Sequence, residues 1–288
     1  MNQVAVIDQN LPDFLQNAGV SALTKQLAGR TGVARIVPKN GIFRKVVGGE
    51  EMGRTSGPLN TVIVNASPHV GRIFYMRQWT PDAEPTAPDC FSNDGRTPDA
   101  GAANPQSERC DSCPQNVKGS GQGNSKACRY SRRLALMLEE DFGTALEGRI
   151  YQMNLASKSL FGDSPSDKVH PFENYAKYIA NNGKSIDHLV TTISFDANND
   201  NQSVLFSARD YINRHQFGVI NGANVPKESE RMVIMTPYQA DASGRAAKLE
   251  APKEAPAEPV KREASKPTPA PTEKKDLNAV LKAWTDEE

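Results

Sequence analysis

Cysteine is scarce in this sequence of 288 residues, and its four copies are confined to one region. They are Cys90, Cys110, Cys113 and Cys128, and the rest of the chain contains none. The sequence also lacks a charged N-terminal segment followed by an apolar run, and no stretch is apolar enough to span a bilayer. We therefore expect a cytoplasmic protein, in which a framework of structural disulfides is not expected.

An excess of charge of either sign is also lacking, because 34 basic residues balance 34 acidic ones. Bulk charge therefore does not attract a polyanion. Two local runs are nevertheless basic and could face phosphate groups. The first run, opposed only by Glu50 and Glu51, consists of Lys25, Arg30, Arg35, Lys39, Arg44, Lys45 and Arg54. The second run, free of acidic residues from 112 to 138, consists of Lys118, Lys126, Arg129, Arg132 and Arg133.

Enzyme signatures are missing from the sequence. It has no P-loop, no nucleophile elbow, no HExxH pair and no protein-kinase set. The glycine-rich run at residues 119–123 resembles a phosphate-binding loop only in its glycine content, and we interpret it as a flexible spacer. The sequence therefore predicts a protein that is not an enzyme, and no catalytic residue is proposed.

The cysteine spacing, C-x19-C-x2-C-x14-C, is typical of one bound metal ion. A tetrahedral thiolate site combines a close CxxC pair, here Cys110 and Cys113, with two ligands from distant segments. Four protein ligands leave no open position, so a zinc ion here would be structural. A redox pair, unliganded thiols and an iron–sulfur cluster are the alternatives. The histidines lie outside the cluster and are interpreted as surface or capped residues: His69, His170, His188 and His215.

The pattern of apolar residues predicts a β-rich α+β body with a few helices. An Asn-Gly turn at residues 40–41 indicates a hairpin, and strands are also predicted at 59–66, 72–79, 148–156, 189–195 and 203–207. Residues 129–138 could form a strand or a helix. A helix is predicted for residues 171–180, with proline at its start. Many short strands with few helices favour a β-barrel or sandwich-like body.

Four segments follow from composition. We predict an N-terminal helical arm at residues 1–30 and a folded body at residues 31–239, with a metal-binding insertion at 80–130. Residues 240–275 are rich in Ala, Pro, Lys and Glu, and we expect a disordered linker there. Residues 276–288 form an acidic amphipathic tip. A polar insertion of this length is rare in a compact domain unless a metal or another link ties it down.

The predicted strand at 72–79 has the composition of a nucleic-acid platform on one face. Tyr75, Arg77 and Trp79 alternate on that face, where rings can stack on bases and the guanidinium can meet phosphate. Packing of these rings beneath the long loop is the alternative. Arg149 and Tyr151 form a similar, weaker pattern on the strand at 148–156.

The C-terminal tip carries an apolar stripe followed by acid. Leu277, Val280, Leu281 and Trp284 recur at helical spacing, and Asp286, Glu287 and Glu288 close the chain. The stripe favours docking on a partner protein or on the chain's own basic groove. A solubilising tail without a partner is the alternative.

Several stretches together resemble a family of tailed-phage proteins regarded as single-stranded DNA-binding proteins. The likeness covers about residues 30–210, and the matching stretches are RIVPKNGIFRKVVGGEE (35–51), NASPHV (65–70), PDCFSNDG (88–95), NPQS (104–107), CDSCP (110–114), KACR (126–129) and SRRLA (131–135). The resemblance implies an OB-like β-barrel with a zinc-binding loop insertion. It also implies a role in phage DNA replication or recombination, in the cytoplasm of the host cell.

The residues and the resemblance together predict a largely sequence-independent single-stranded DNA-binding protein with one structural zinc ion. The C-terminal tip would recruit replication or recombination proteins. A zinc-ribbon regulator that contacts polymerase or duplex DNA is the alternative, and a nuclease or primase accessory is a third class. The predicted nucleic-acid contacts are Phe43, Arg44, Lys45, Arg72, Tyr75, Arg77, Trp79, Arg129, Arg132, Arg133, Arg149 and Tyr151.

Overall fold

A computed structural model describes residues 32–77, 86–199 and 203–242. The predicted N-terminal arm and the predicted C-terminal tip lie outside these ranges. So do Trp79 and all but the first three residues of the predicted linker. The described ranges form a β-rich structure with few helices, as the sequence predicts.

Strands and helices make up most of the described ranges. The strands are β1 (Ala34–Lys39), β2 (Ile42–Val47), β3 (Glu50–Ser56), β4 (Leu59–Ala66), β5 (Gly71–Phe74), β6 (Cys90–Ser92), β7 (Arg129–Leu138), β8 (Tyr151–Ala156), β9 (Leu189–Phe195) and β10 (Val204–Tyr211). The α-helices are α1 (Ser157–Leu160), α2 (Phe172–Asn181), α3 (Arg214–Ile220) and α4 (Val225–Ile234). Residues 237–242 are also helical.

The strands make one curled sheet with the form of a half-barrel. Its order is β10-β9-β4-β7-β8-β1-β2-β3, and β5 bridges the first half of β7 to β6. All pairs are antiparallel except β1 with β8. Bulges in β3, β4 and β10 interrupt the ladders, and bulges increase local strand bending and twist.

The predicted Asn-Gly hairpin is confirmed. Asn40 and Gly41 join β1 to β2 with φ angles of 52° and 75°, the left-handed conformation that a two-residue turn of this kind requires. At the open end of this hairpin, Ala34 pairs with Val47. This register places the Phe43 side chain in the core on the inner face of the curled sheet.

Strand β7 lies at the centre of the sheet and is buried on both faces. Leu134, Leu136 and Leu138 point into a core covered by α2, whereas Ala135 and Met137 pack beneath α4. Because side chains alternate along a strand, the two sets define opposite faces. The central sheet is therefore covered on both sides, which leaves its rims and loops for contact with a ligand.

Two buried polar side chains attach α4 to the sheet. The Gln152 amide donates to the carbonyls of Met232 and Met235 at 2.6 and 2.8 Å, and Arg133 Nε donates to that of Val233 at 2.7 Å. The last carbonyls of a helix have no partner within the helix. Side chains of β7 and β8 supply the missing donors here.

Several boundaries differ from the sequence prediction. Residues 129–138 are a strand, and the strand predicted at 72–79 ends at Phe74, so Tyr75 and Arg77 lie outside it. Strand β3 and helices α3 and α4 were not predicted. The packed body also runs past Gln239, because Ala240 is fully buried and Asp241 forms an ion pair with Arg35.

Within the described ranges, every helix is too short or too polar to cross a membrane.

Candidate metal centre and nucleic-acid surface

The four cysteines reach one place from three different parts of the fold. Cys90 begins β6, Cys113 precedes a short 3₁₀ helix at Pro114–Asn116, and Cys128 immediately precedes β7. Backbone bonds close the loop: the Cys128 amide donates to Gln115 O at 2.8 Å and the Cys110 amide to Arg96 O at 2.8 Å.

All four thiols line one cavity of about 10 Å³. Among the described residues, no three Cys, His, Asp or Glu side chains meet at distances that would hold a metal ion. The two findings describe the same arrangement, in which the thiols surround a common space without converging on a point.

Two of the thiols, Cys110 and Cys128, hold their protons more strongly in this arrangement than a free thiol does. Burial, together with the neighbouring thiols Cys110, Cys113 and Cys90, raises the pKa of Cys128 to about 11, although Arg72 lowers it in part. Burial also raises the pKa of Cys110, against a lowering contribution from the Ser92 hydroxyl. A metal ion would have to displace these protons, since the thiolate is the ligand form.

Arg72 joins the cysteine loop to the sheet. Its side chain donates to Gly95 O at 3.1 Å, to Asn116 Oδ1 at 2.7 Å and to the Tyr130 hydroxyl at 3.2 Å. Its guanidinium also lies 4.4 Å from the centroid of the Tyr130 ring. These contacts correct its prediction as a phosphate ligand, because they occupy the guanidinium within the fold.

Two predicted base-stacking rings are core residues. Phe43 is fully buried and packs on Phe195 with ring centroids 4.5 Å apart. Tyr151 is 2% exposed and donates its hydroxyl to Asp141 at 2.7 Å. This corrects the prediction that they stack on bases, because neither ring can reach a ligand at the surface.

Internal contacts also occupy Arg132 and Arg133, two of the predicted phosphate ligands. Arg132 donates to the carbonyls of Ser67 and Pro68 at 2.9 and 3.1 Å and pairs with Glu173. Arg133 is 6% exposed, and its burial lowers its pKa to about 10. Both arginines bind other segments of the fold. This corrects the prediction that they contact nucleic acid.

Three further predicted contacts lie elsewhere in the fold. Arg44 and Lys45 are partly exposed but form ion pairs with Glu51 and Glu140 respectively. Arg149 is half-buried and lines a separate cavity of about 240 Å³ between the start of β1 and α4.

Exposed cations surround the cysteine loop. The side chains of Lys118 and Arg129 make no hydrogen bond or ion pair with any residue that the structure describes, and the same is true of Arg77. Lys126 is exposed and donates only to Asn116 Oδ1, at 3.1 Å. Tyr75 and Met76 beside Arg77 are also exposed, at 41% and 59%. The predicted second basic run therefore keeps three open members: Lys118, Lys126 and Arg129.

An aromatic pair escaped the sequence analysis. Tyr130 on β7 and Phe161 just after α1 meet edge to face, with ring centroids 5.5 Å apart. Phe161 is 44% exposed. The two rings are 31 positions apart, so no local period in the sequence connects them.

Comparisons with family models, curated proteins and solved structures returned no match for this chain.

Proposed function

We propose that this chain is a single-stranded DNA-binding protein, not an enzyme, whose cysteine loop is held by one structural zinc ion. The observation that carries the proposal is the gathering of all four cysteines around one cavity inside a loop bordered by open cations. Four thiols that meet at one cavity from three parts of the fold match the ligand set of a tetrahedral zinc site. The cations can then meet a phosphate backbone without first breaking ion pairs.

The zinc ion would be held by Cys90, Cys110, Cys113 and Cys128, and it would supply rigidity rather than chemistry. Arg72 lines the same cavity and would offset the negative charge of the thiolates. The curled half-barrel is compatible with the OB-like barrel that the resemblance implies. Recruitment of replication or recombination proteins by residues 276–288 remains part of the proposal, although these residues lie outside the described ranges.

Metal analysis and oligonucleotide binding test the proposal together. We expect one zinc ion per chain and salt-sensitive binding of a fluorescent oligothymidylate at low ionic strength. Cys113→Ser should lose the zinc and weaken binding, because the loop that carries the cations would no longer be held. Ser112→Ala, at the neighbouring exposed position, is the matched control and should change neither property.

Purified protein without zinc would contradict the metal assignment. Wild-type protein that binds duplex better than single strands would instead favour a zinc-ribbon regulator. An iron–sulfur cluster would show itself by colour and iron content.

A further inference from the structure

Phe161 is an exposed ring held in a fixed position. It follows α1 directly, and its amide donates to Ser157 O at 3.0 Å. The preceding residues Ser159 and Leu160 are buried in the core. A ring anchored in this way can accept a stacking partner without a large loss of conformational entropy.

Tyr130 supports the Phe161 ring from one side. The Tyr130 ring meets Phe161 at an interplanar angle of 74°, and Arg72 covers it at 4.4 Å. Arg72 in turn donates to Gly95 and Asn116 in the cysteine loop. The exposed ring is therefore connected to the loop through two side chains with defined contacts.

Two exposed lysines, Lys158 and Lys126, are candidates for the phosphate contacts of a strand that stacks on this ring. Lys158 is exposed three residues before Phe161, and its side chain has no hydrogen-bond or ion-pair partner in the part of the chain that the structure describes. Lys126 shares Asn116 Oδ1 with Arg72. Asp163 is an exposed acidic residue nearby, whereas Glu173 is paired with Arg132.

We propose that Phe161 is a stacking site for an unpaired nucleobase, that Tyr130 supports it, and that Arg72 is the positioning residue. The inference rests on the proposed function and assigns the base-binding site within it. An unpaired base offers its whole face to a ring, whereas a base in a duplex is stacked on both sides. Lys126 and Lys158 would contact the phosphates on either side of the stacked base.

Phe161→Ala tests the site by equilibrium binding of a fluorescent oligothymidylate at low salt. Loss of one base–ring stack should weaken binding roughly 5- to 150-fold. Phe217→Ala removes a phenylalanine of similar exposure, 48%, from α3 and should bind as wild type does. Phe161→Leu keeps an apolar side chain against Tyr130, so it should fold and still lose most of the stacking.

The positioning role of Arg72 is tested by a double-mutant cycle. Arg72→Gln with full zinc content should weaken binding, and adding Phe161→Ala should cost little more, because both changes remove the same stack. Independent, additive effects would overturn the positioning role.

Different binding results would overturn the stacking site and the proposed function. If wild-type protein binds oligothymidylate and both Phe161 variants bind equally well, the stacking site is wrong and the function stands. If wild-type protein binds no single-stranded oligonucleotide at low salt, the function fails and the site fails with it.

Discussion

At the scale of single residues, Asp141 and Tyr151 form a buried hydrogen-bonded pair. Burial raises the pKa of the Asp141 carboxyl, while the Tyr151 hydroxyl and the charge of Lys45 lower it in part. Arg149 acts in the same direction as Lys45, and Glu140 opposes it. A carboxyl whose folded pKa exceeds its unfolded pKa binds protons more readily in the folded state. Its ionisation therefore opposes folding.

We expect the stability of the protein to reflect this titration. The stabilisation is fully present below the unfolded pKa of about 3.9 and is lost as the pH rises through the raised folded pKa. Asp141→Asn cannot ionise, so its free energy of unfolding relative to wild type should increase from pH 4 to pH 7. Urea denaturation across this range measures the difference, and parallel pH profiles would contradict the assignment.

Tyr151→Phe is the partner variant for this prediction. It leaves the buried carboxylate without its hydroxyl donor, at a cost of about 1–3 kcal/mol at neutral pH. The cost should be smaller at pH 4, where more of the carboxyl is protonated.

At the scale of elements, β5 approaches β6 and β7 closely enough to require glycine. A Cβ atom on Gly71 would lie 2.5 Å from the Ser92 carbonyl oxygen and 3.5 Å from that of Ser131. Both atoms belong to backbone, so a side chain here must displace β6. Strand β6 begins with Cys90, so the displacement would reach the candidate metal centre.

Gly71→Ala should therefore destabilise the fold by about 1–3 kcal/mol, the usual cost of overpacking. It should also lower the zinc affinity, measured by chelator competition. Gly53→Ala in β3 is the matched control, since a Cβ there meets nothing within 4 Å and its φ is not left-handed. If the two variants were equally stable, β6 would move aside without a loss of folding free energy.

Local sequence patterns predicted the elements with strong signals. The Asn40-Gly41 turn, strand 59–66 and helix 171–180 all formed close to their predicted positions, because turn chemistry and apolar periodicity act over a few residues. Strand β3 was missed because Gly53 and its charged residues obscure alternation. Strand β5 is shorter than predicted and pairs through three of its residues with each of its neighbours, β6 and β7.

At the scale of the whole molecule, binding to single strands should depend on few cations. If four open cations contact phosphates, the slope of log affinity against log salt is roughly −3. Affinity should then fall roughly 50-fold between 50 and 200 mM salt. The four are Lys118, Lys126, Arg129 and Lys158, and a further contact from Arg77 would steepen the slope by about 0.7.

Removal of one open cation should reduce that slope by about 0.7. Lys126→Ala is the test, measured by oligonucleotide titrations at several salt concentrations. Lys45→Ala is the control, because Lys45 is already paired with Glu140 and should leave the slope unchanged. A slope that Lys126→Ala does not alter would remove Lys126 from the phosphate contacts.

Composition and spacing along the chain establish the β-rich class and the single region that contains every potential thiolate ligand. Neither conclusion needs knowledge of distant contacts. Which charged and aromatic side chains remain open depends on long-range packing. Arg72, Arg132 and Arg133 look like Arg129 in sequence, yet long-range contacts occupy them and leave Arg129 exposed. Burial depends on which segments pack together. The packing of distant segments buries Phe43 and Tyr151 and places the Phe161 ring against Tyr130.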